Sequence, residues 1–512
     1  MSHINDTVAD LLKELDLGTS VAETDRLLEV ARVETSAFTD LLGDKVDLIP
    51  GTKGSGKSAL FRIFVDFLPD MLLQARKIVV AHGVEDPGDA VFNAFSDEFK
   101  KLDEHQFVSF WCIYLVSLAH EQFIKGARYA SYLAGADSEV SAFRNACAAA
   151  GIPEVRAPKS LRSILEWTLN VLRAWRPKMI YRPPEGQGEF VLDLFDTRQA
   201  GSSERTAQEH NQNELPRYIV RVKKALENIL QRVNLSIWLM IDRLDEIFPR
   251  RSELERTALR GLLRAVRIFW SESIRVKVFL RDDMLENVVK GENGFVALTH
   301  ITSRQADTLR WTEDQILSMV VKRIFANQSI QKYLKIDLER LDASMQYRSD
   351  AFYKVFPPKV HKGENQSATL KWIYTRCADG RGVVTPRDVL DMLIRAKQKQ
   401  QDMCRGNPAG RSEWIIGSAA LQYGLAEMSK RKRQTYLEAE FPHLWPHIKK
   451  LTGGKTEYSE AALGRVFEGK WKEIVDDLVS IGLFAKTTRR KATAYVIPFL
   501  YRKGLEVTQG LA

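Results

Sequence analysis

Cysteine is scarce. The 512 residues hold four, Cys112, Cys147, Cys377 and Cys404, with no C-x-x-C pair and no histidine at metal-ligand spacing. That excludes a structural zinc site and a disulfide framework and suits a reduced, cytoplasmic protein. Long apolar runs are also missing. The longest, "FVSFWCIYLVSLA" at 107–119, is too short to span a bilayer and reads as a buried helix, so no membrane partner is expected. The first residues, "MSHINDTVADLLKELDLG", lack the basic start and apolar stretch of a secretion signal.

Charge is present in excess, and unevenly. The net charge is +9, and from Arg395 onward 21 Lys and Arg face 12 Asp and Glu, so the whole excess lies there. A basic terminal third suits nucleic acid or an acidic partner surface, and equally a solvated basic face. With 45% hydrophobic residues the composition is that of a globular protein, and the length implies two or three domains.

Glycine is concentrated where it matters. "PGTKGSGKS" at 50–58 follows the short apolar strand "VDLI" and precedes "SALFRIFVDFL", which has helical spacing. Gly51, Gly56, Lys57 and Ser58 satisfy G-x-x-x-x-G-K-[ST]. Strand, glycine loop and helix bring successive backbone N–H groups onto a phosphate. The expected nucleotide cradle is Gly51, Thr52, Lys53, Gly54, Ser55, Gly56, Lys57, Ser58 and Ala59. Lys57 bridges the β- and γ-phosphates of ATP, and Ser58 holds Mg²⁺.

The second acidic motif is "SIWLMIDRLDEIF" at 236–248, a continuous apolar run ending in carboxylates, as in a central parallel strand. Asp242, at the strand end, is placed to bind Mg²⁺; Asp245 or Glu246 is placed to orient and deprotonate water. Glu246 has the longer reach. A GTPase is excluded by the lack of an N-K-x-D guanine reader, and an ABC ATPase by the lack of a signature loop between the two motifs.

"GTKGSGKSALFR", "MIDRLDE", "VFLRDD", "LRWTEDQILSMVVKRI", "TPRDVLDML" and "IPFLYRKGL" together resemble a bacterial P-loop ATPase family with a DRLDE second motif. It lies near the STAND ATPases, including the NACHT group, and the KAP ATPases. The likeness runs from about residue 36 to 508. It implies an α/β fold, a doubly wound parallel-sheet P-loop NTPase with a helical lid and a C-terminal winged helix. It also implies a strand at 274–283 beside the DRLDE strand, with Arg281 reaching the γ-phosphate, and a second sensor at Arg387. Read from the residues alone, Thr385 is an N-cap and Pro386 opens the helix, so Arg387 sits where the helix dipole opposes a cation. Its anion is then either a nearby carboxylate such as Asp388 or the nucleotide.

"WTEDQILSMVVKRI" carries a capping box at Thr312 and Gln315 and opens the lid; Arg323 there reads as solvated. Arg250, Arg251, Arg256, Arg260 and Arg264 are equal candidates for an arginine finger. The polar stretch 196–214 reads as a mobile loop. At the end, "SEAALGRVF", "WKEIVDDLVSIG", "LFAKT" and "TAYVIP" read as two helices and two strands of a winged helix with "TRRKA" at the tip. The second helix carries Glu473, Asp476 and Asp477 against Lys470 and Lys472, which meets phosphates badly. Lys486, Arg489, Arg490 and Lys491 at the wing, and Lys430, Arg431, Lys432 and Arg433, can still touch a DNA or RNA backbone.

The expected organisation is an N-terminal helical segment at 1–35, an ATPase core at 36–310 with a long insertion near 100–230, a lid at 311–400 and a winged helix at 410–512. The expected activity is that of a cytoplasmic Mg²⁺-dependent ATPase switch that forms oligomers. The resemblance implies a sensor or regulator in defence against phage, acting through a separate effector protein. The competing reading is a nucleic-acid-stimulated ATPase similar to origin-binding initiators or loaders.

Overall fold

A computed structural model describes residues 2–83, 102–150, 152, 179–181, 190–192, 215–247, 252–289, 302–406, 413–489 and 492–512. The chain forms two compact units, one of residues 40–50 and 61–307 and one of residues 1–39, 51–60 and 308–512. The polar stretch 196–214, Arg250, Arg251, Arg490 and Lys491 lie outside the described residues, as do residues 160–175, whose apolar spacing in sequence is helical.

The unit of residues 40–50 and 61–307 is built on strands β1 (Leu48–Gly51), β2 (Ile78–Gly83), β5 (Ser236–Ile241) and β6 (Ile274–Arg281). Separately, β3 (Met179–Tyr181) pairs antiparallel with β4 (Phe190–Leu192). The four-stranded sheet is parallel, in the order β1-β6-β5-β2. A parallel bridge between Leu48 and Gln305 adds an extended segment beyond β1. The strand carrying Arg281 does lie beside the strand of the second motif, in register from Ile237 opposite Ile274 to Ile241 opposite Val278.

Both faces of this sheet are covered, which is why its strands are apolar throughout rather than alternating. Ile237, Leu239 and Ile241 share a core with Val79, Ala81, Val276, Val278 and Leu280 on one face. The intervening residues point the other way: Trp238 meets Phe64 at 6.1 Å between ring centroids and Phe279 meets Phe61 at 5.5 Å. The chain crosses from β1 to β2 in one direction and returns through β5 to β6 in the other. Right-handed crossovers in opposite directions set the connecting helices on opposite faces, so the sheet is doubly wound.

The apolar run at 107–119 belongs to helix Glu104–Ala119, capped by Asp103 and Gln106. With the π-helical turn that continues it to Ile124 the helix reaches 21 residues, long and apolar enough to cross a membrane, but Phe107, Phe110, Trp111 and Tyr114 are buried in the core of this unit. Trp111 Nε1 donates to Ala258 O at 2.8 Å on helix Glu253–Phe269. On the other face Lys277 is fully buried, its ammonium 2.7 Å from Asp47 Oδ1 and 4.7 Å above the Trp238 ring. Arg304 joins the same two aspartates, Asp44 and Asp47, tying the segment before β1 to β6 and to the chain after it.

The second unit has one continuous core. It runs from Leu11 and Leu15 in the N-terminal helix through helices Glu313–Phe325 and Pro386–Gly406 to Tyr495 and Leu505. No break in packing separates the lid helices from the winged helix, because both contribute side chains to the same cluster. The winged helix contains β7 (Lys455–Ser459), helices Glu460–Phe467 and Trp471–Ser480, then β8 (Ala485–Arg489), β9 (Ala492–Val496) and β10 (Thr508–Leu511). The sheet order is β10-β7-β9-β8. Strands β7 and β10 escaped the sequence reading, since "KTEYS" and "TQGL" carry little apolar alternation.

One expectation is overturned here. Arg323 is not solvated: it is 4% exposed, and its guanidinium donates to Asp25 at 3.1 Å and to Leu17 O at 2.9 Å. An arginine on a helix face reads as solvent-facing only while its distant partner is unknown. Asp25 lies some three hundred residues earlier, beyond any local pattern.

Candidate functional site

The phosphate-loop motif adopts the conformation its glycines allow. Strand β1 ends at Gly51, Gly54 and Gly56 take φ of +83° and +97°, and Lys57 opens helix Lys57–Arg62. Only glycine enters that backbone region freely, and alternation of this kind turns successive N–H groups inward. Ser58 and Ala59 follow in the first helical turn. Lys57 Nζ donates to Gly51 O at 2.8 Å and Thr52 O at 3.0 Å, so the ammonium caps the concavity. Thr52 Oγ1 and Ser55 Oγ are buried hydroxyl groups with no hydrogen-bond partner among the described residues. Orphaned polar atoms beside a nest of N–H groups fit a phosphate-bearing ligand.

Three side chains from later in the same unit brace this loop. Trp311 Nε1 donates to Ser55 O at 2.7 Å. Lys53 is ion-paired with Glu440, whose side chain is 4% exposed. Arg387 lies against the loop: a Cβ placed on Gly54 would stand 3.1 Å from Arg387 Cβ and 3.4 Å from Thr385 Oγ1. Arg387 Nε donates to Ser20 O at 3.3 Å. A cleft of about 230 Å³ is lined by Ser20, Val21, Lys53, Arg387, Met428 and Tyr436 among others.

Asp388 does not serve Arg387. It accepts from Thr385 Oγ1 at 2.8 Å and pairs with Lys432 Nζ at 2.8 and 3.0 Å. Among the described residues Arg387 has no carboxylate partner. Trp311 and Glu440 were missed from sequence; Trp311 stands just before the Thr312 N-cap, a position with no chemical signature of its own, and Glu440 is far along the chain.

In the other unit Asp242 directly follows β5 and is 3% exposed. The next residue, Arg243, holds φ of +60°, a sparsely populated region for a non-glycine residue. Asp245 lies in helix Leu244–Ile247. The backbone of Glu246 is in the same helix, while its side chain lies outside the described residues. Arg281, at the end of β6, is gripped by Asp283 through Nε at 2.9 Å and Nη2 at 2.7 Å, with Asp245 at 3.4 Å. The structure thus brings together Arg281 and Asp245, two residues picked out separately from sequence. Of the finger candidates, Arg256 pairs with Glu253, Arg264 pairs with Glu104, and Arg260 donates to Val288 O at 3.1 Å.

The basic run after residue 429 is neutralised within the chain. Lys430 pairs with Glu427 at 2.8 Å, Arg431 with Asp391 at 3.3 Å, Lys432 with Asp388 and Arg433 with Glu438 at 3.0 Å. On the wing, Lys486 and Arg489 lie in β8, the side chain of Arg489 outside the described residues.

No known family model and no curated protein matches the sequence. Among solved structures a distant likeness is to the Orc1 protein of Aeropyrum pernix in complex with DNA, at 12% identity, covering 94% of this chain and 95% of that one, with a TM-score of 0.35. A likeness that distant fixes neither ligand nor activity.

Proposed function

We propose that the chain is a Mg²⁺-dependent, ATP-binding and ATP-hydrolysing switch. The observation that carries this is the loop itself: two left-handed glycines, Lys57 over the concavity and the orphaned hydroxyls of Thr52 and Ser55. The residues present fit the ligand. Gly51 to Ala59 would hold the phosphates, Lys57 would neutralise them and Ser58 would hold the metal; Asp242, in the other unit, is the further metal ligand expected from the sequence. When bound, Mg·ATP supplies the phosphoanhydride that water cleaves; Glu246 or Asp245 accepts the proton of that water. Arg281 is oriented by Asp283, and Arg387 reports the state of the loop to the lid helix it begins. The test is ATP hydrolysis and binding by the purified chain, with Lys57→Ala as comparison. Loss of a charge-assisted contact worth roughly 1.5–3 kcal/mol predicts about a 10- to 150-fold weaker Kd; unchanged binding would refute the site.

The finer role proposed is that of an oligomeric sensor or regulator in phage defence acting on a separate effector, supported by the family resemblance. Full protection in a plaque assay by this chain alone would remove the effector. A nucleic-acid-stimulated ATPase is the second reading, favoured by the arginine pair described next.

A further inference from the structure

Arg376, the last residue of helix Thr369–Arg376, and Arg502, the last of helix Phe499–Arg502, both stack on Phe499. Their guanidinium carbons lie 3.5 and 3.7 Å from the ring centroid, too near for two such groups to share a face, so they sandwich the ring about 7 Å apart. Cation–π attraction of about 0.5–2 kcal/mol per contact holds each in place. It does not neutralise them.

Several arginines of this unit have acids beside them, Arg323 with Asp25, Arg381 with Asp379, Arg431 with Asp391 and Arg433 with Glu438, whereas Arg387 at the phosphate loop has none among the described residues. Among the described residues neither Arg376 nor Arg502 forms an ion pair. Arg376 donates to Thr375 Oγ1 at 3.5 Å, and Arg502 to Ile497 O at 2.9 Å and Gln509 Oε1 at 3.4 Å. Burial holds both guanidinium groups below the usual arginine range, and the charge of Arg502 lowers Arg376 further. Phe499 remains 36% exposed, and the next cation, Lys503, is exposed. Two like charges fixed on either side of one ring without an acid describe a place for an anion.

We propose that the Arg376–Phe499–Arg502 stack is a phosphodiester-binding site that grips neighbouring phosphates of a nucleic-acid strand. Planar guanidinium groups present paired donors that match phosphate oxygens, and stacking on the ring has already fixed their rotamers. The site is separate from the wing. Phe499 follows the end of β9 at which Val496 pairs with Ala485, whereas Arg489 pairs with Ala492 at the opposite end of these two strands. Both arginines belong to helices other than the acidic Trp471–Ser480, and the contact grips the backbone and reads no sequence. The site stands on its own side chains and is independent of the ATPase reading.

The test is fluorescence anisotropy of a labelled oligonucleotide, single-stranded and duplex, titrated with the full chain between about 50 and 200 mM salt. Arg376→Gln with Arg502→Gln is expected to weaken binding at least about tenfold and to reduce the salt slope by about 1.5 to 2, as loss of two phosphate contacts requires. Each single substitution should take about half of that slope. Arg376→Lys with Arg502→Lys should keep the slope and lose part of the affinity. Wild-type chain that binds neither oligonucleotide would overturn the proposal. So would double or single glutamine variants, with unchanged melting temperature, that keep wild-type affinity and slope. Inorganic phosphate bound by wild type and lost in the variants, without oligonucleotide binding, would assign the stack to small phosphates and likewise overturn it.

Discussion

Trp311→Phe isolates one hydrogen bond of the phosphate loop. The substitution keeps an aromatic ring beside Gly56 and removes the Nε1–H that donates to Ser55 O at 2.7 Å. Ser55 is 1% exposed, so water replaces that donor poorly, and a buried carbonyl left unmade costs about 1–3 kcal/mol. A free loop can relax to recover part of the cost; a loop closed around phosphates cannot. The penalty therefore falls mainly on the bound state, predicting a Kd for ATP raised roughly 5- to 150-fold. Calorimetric titration of both proteins measures it, with melting temperature as the control for general damage. Binding within about twofold of wild type and an unchanged melting temperature would refute the idea that Trp311 shapes the loop.

Arg323→Met leaves the Asp25 carboxylate buried without its counterion and should destabilise the N-terminal segment by about 3–5 kcal/mol, read as faster hydrogen exchange over residues 10–33; adding Asp25→Leu should restore most of it, and slow exchange in the single variant would refute the assignment. Glu440→Gln frees the Lys53 ammonium for phosphate. Because Lys53 is 34% exposed, the gain is at most about 1 kcal/mol, seen as ATP binding up to about fivefold tighter; weaker binding would show that Lys53 needs Glu440 to stay in place.

The parts legible from sequence are those in which local chemistry decides. Continuous apolar runs ending in Asp242 and Arg281 predicted buried strands, and β5 and β6 are that; the glycine spacing predicted a loop between strand and helix, and Gly54 and Gly56 there take left-handed backbone. Thr312 and Gln315 form the expected capping box. What failed to show was every long-range pairing. Arg323 with Asp25, Lys53 with Glu440 and Trp311 with Ser55 each join residues hundreds of positions apart, and no periodicity within one element encodes its partner. The run at 430–433 shows the same gap in reverse: four consecutive cations read as a free basic patch until Glu427, Asp391, Asp388 and Glu438 are seen beside them.

The bracing of the loop constrains how a switch can work. Trp311, Arg387 and Glu440 come from the entry to the lid, the start of a lid helix and the approach to the winged helix, and all three touch residues 53–56. Effector coupling energies are typically about 1–3 kcal/mol. The Trp311 hydrogen bond to a buried carbonyl costs as much to break as that entire sum, whereas the Lys53–Glu440 pair, buried at Glu440 but 34% exposed at Lys53, is screened from the lysine side and contributes about 1 kcal/mol. A ligand arriving at the loop therefore has enough differential affinity to exchange the ion pair and too little to release all three braces. Of these two contacts the one to Glu440 is the cheaper to exchange, so phosphate occupancy would reach the approach to the winged helix before the lid entry.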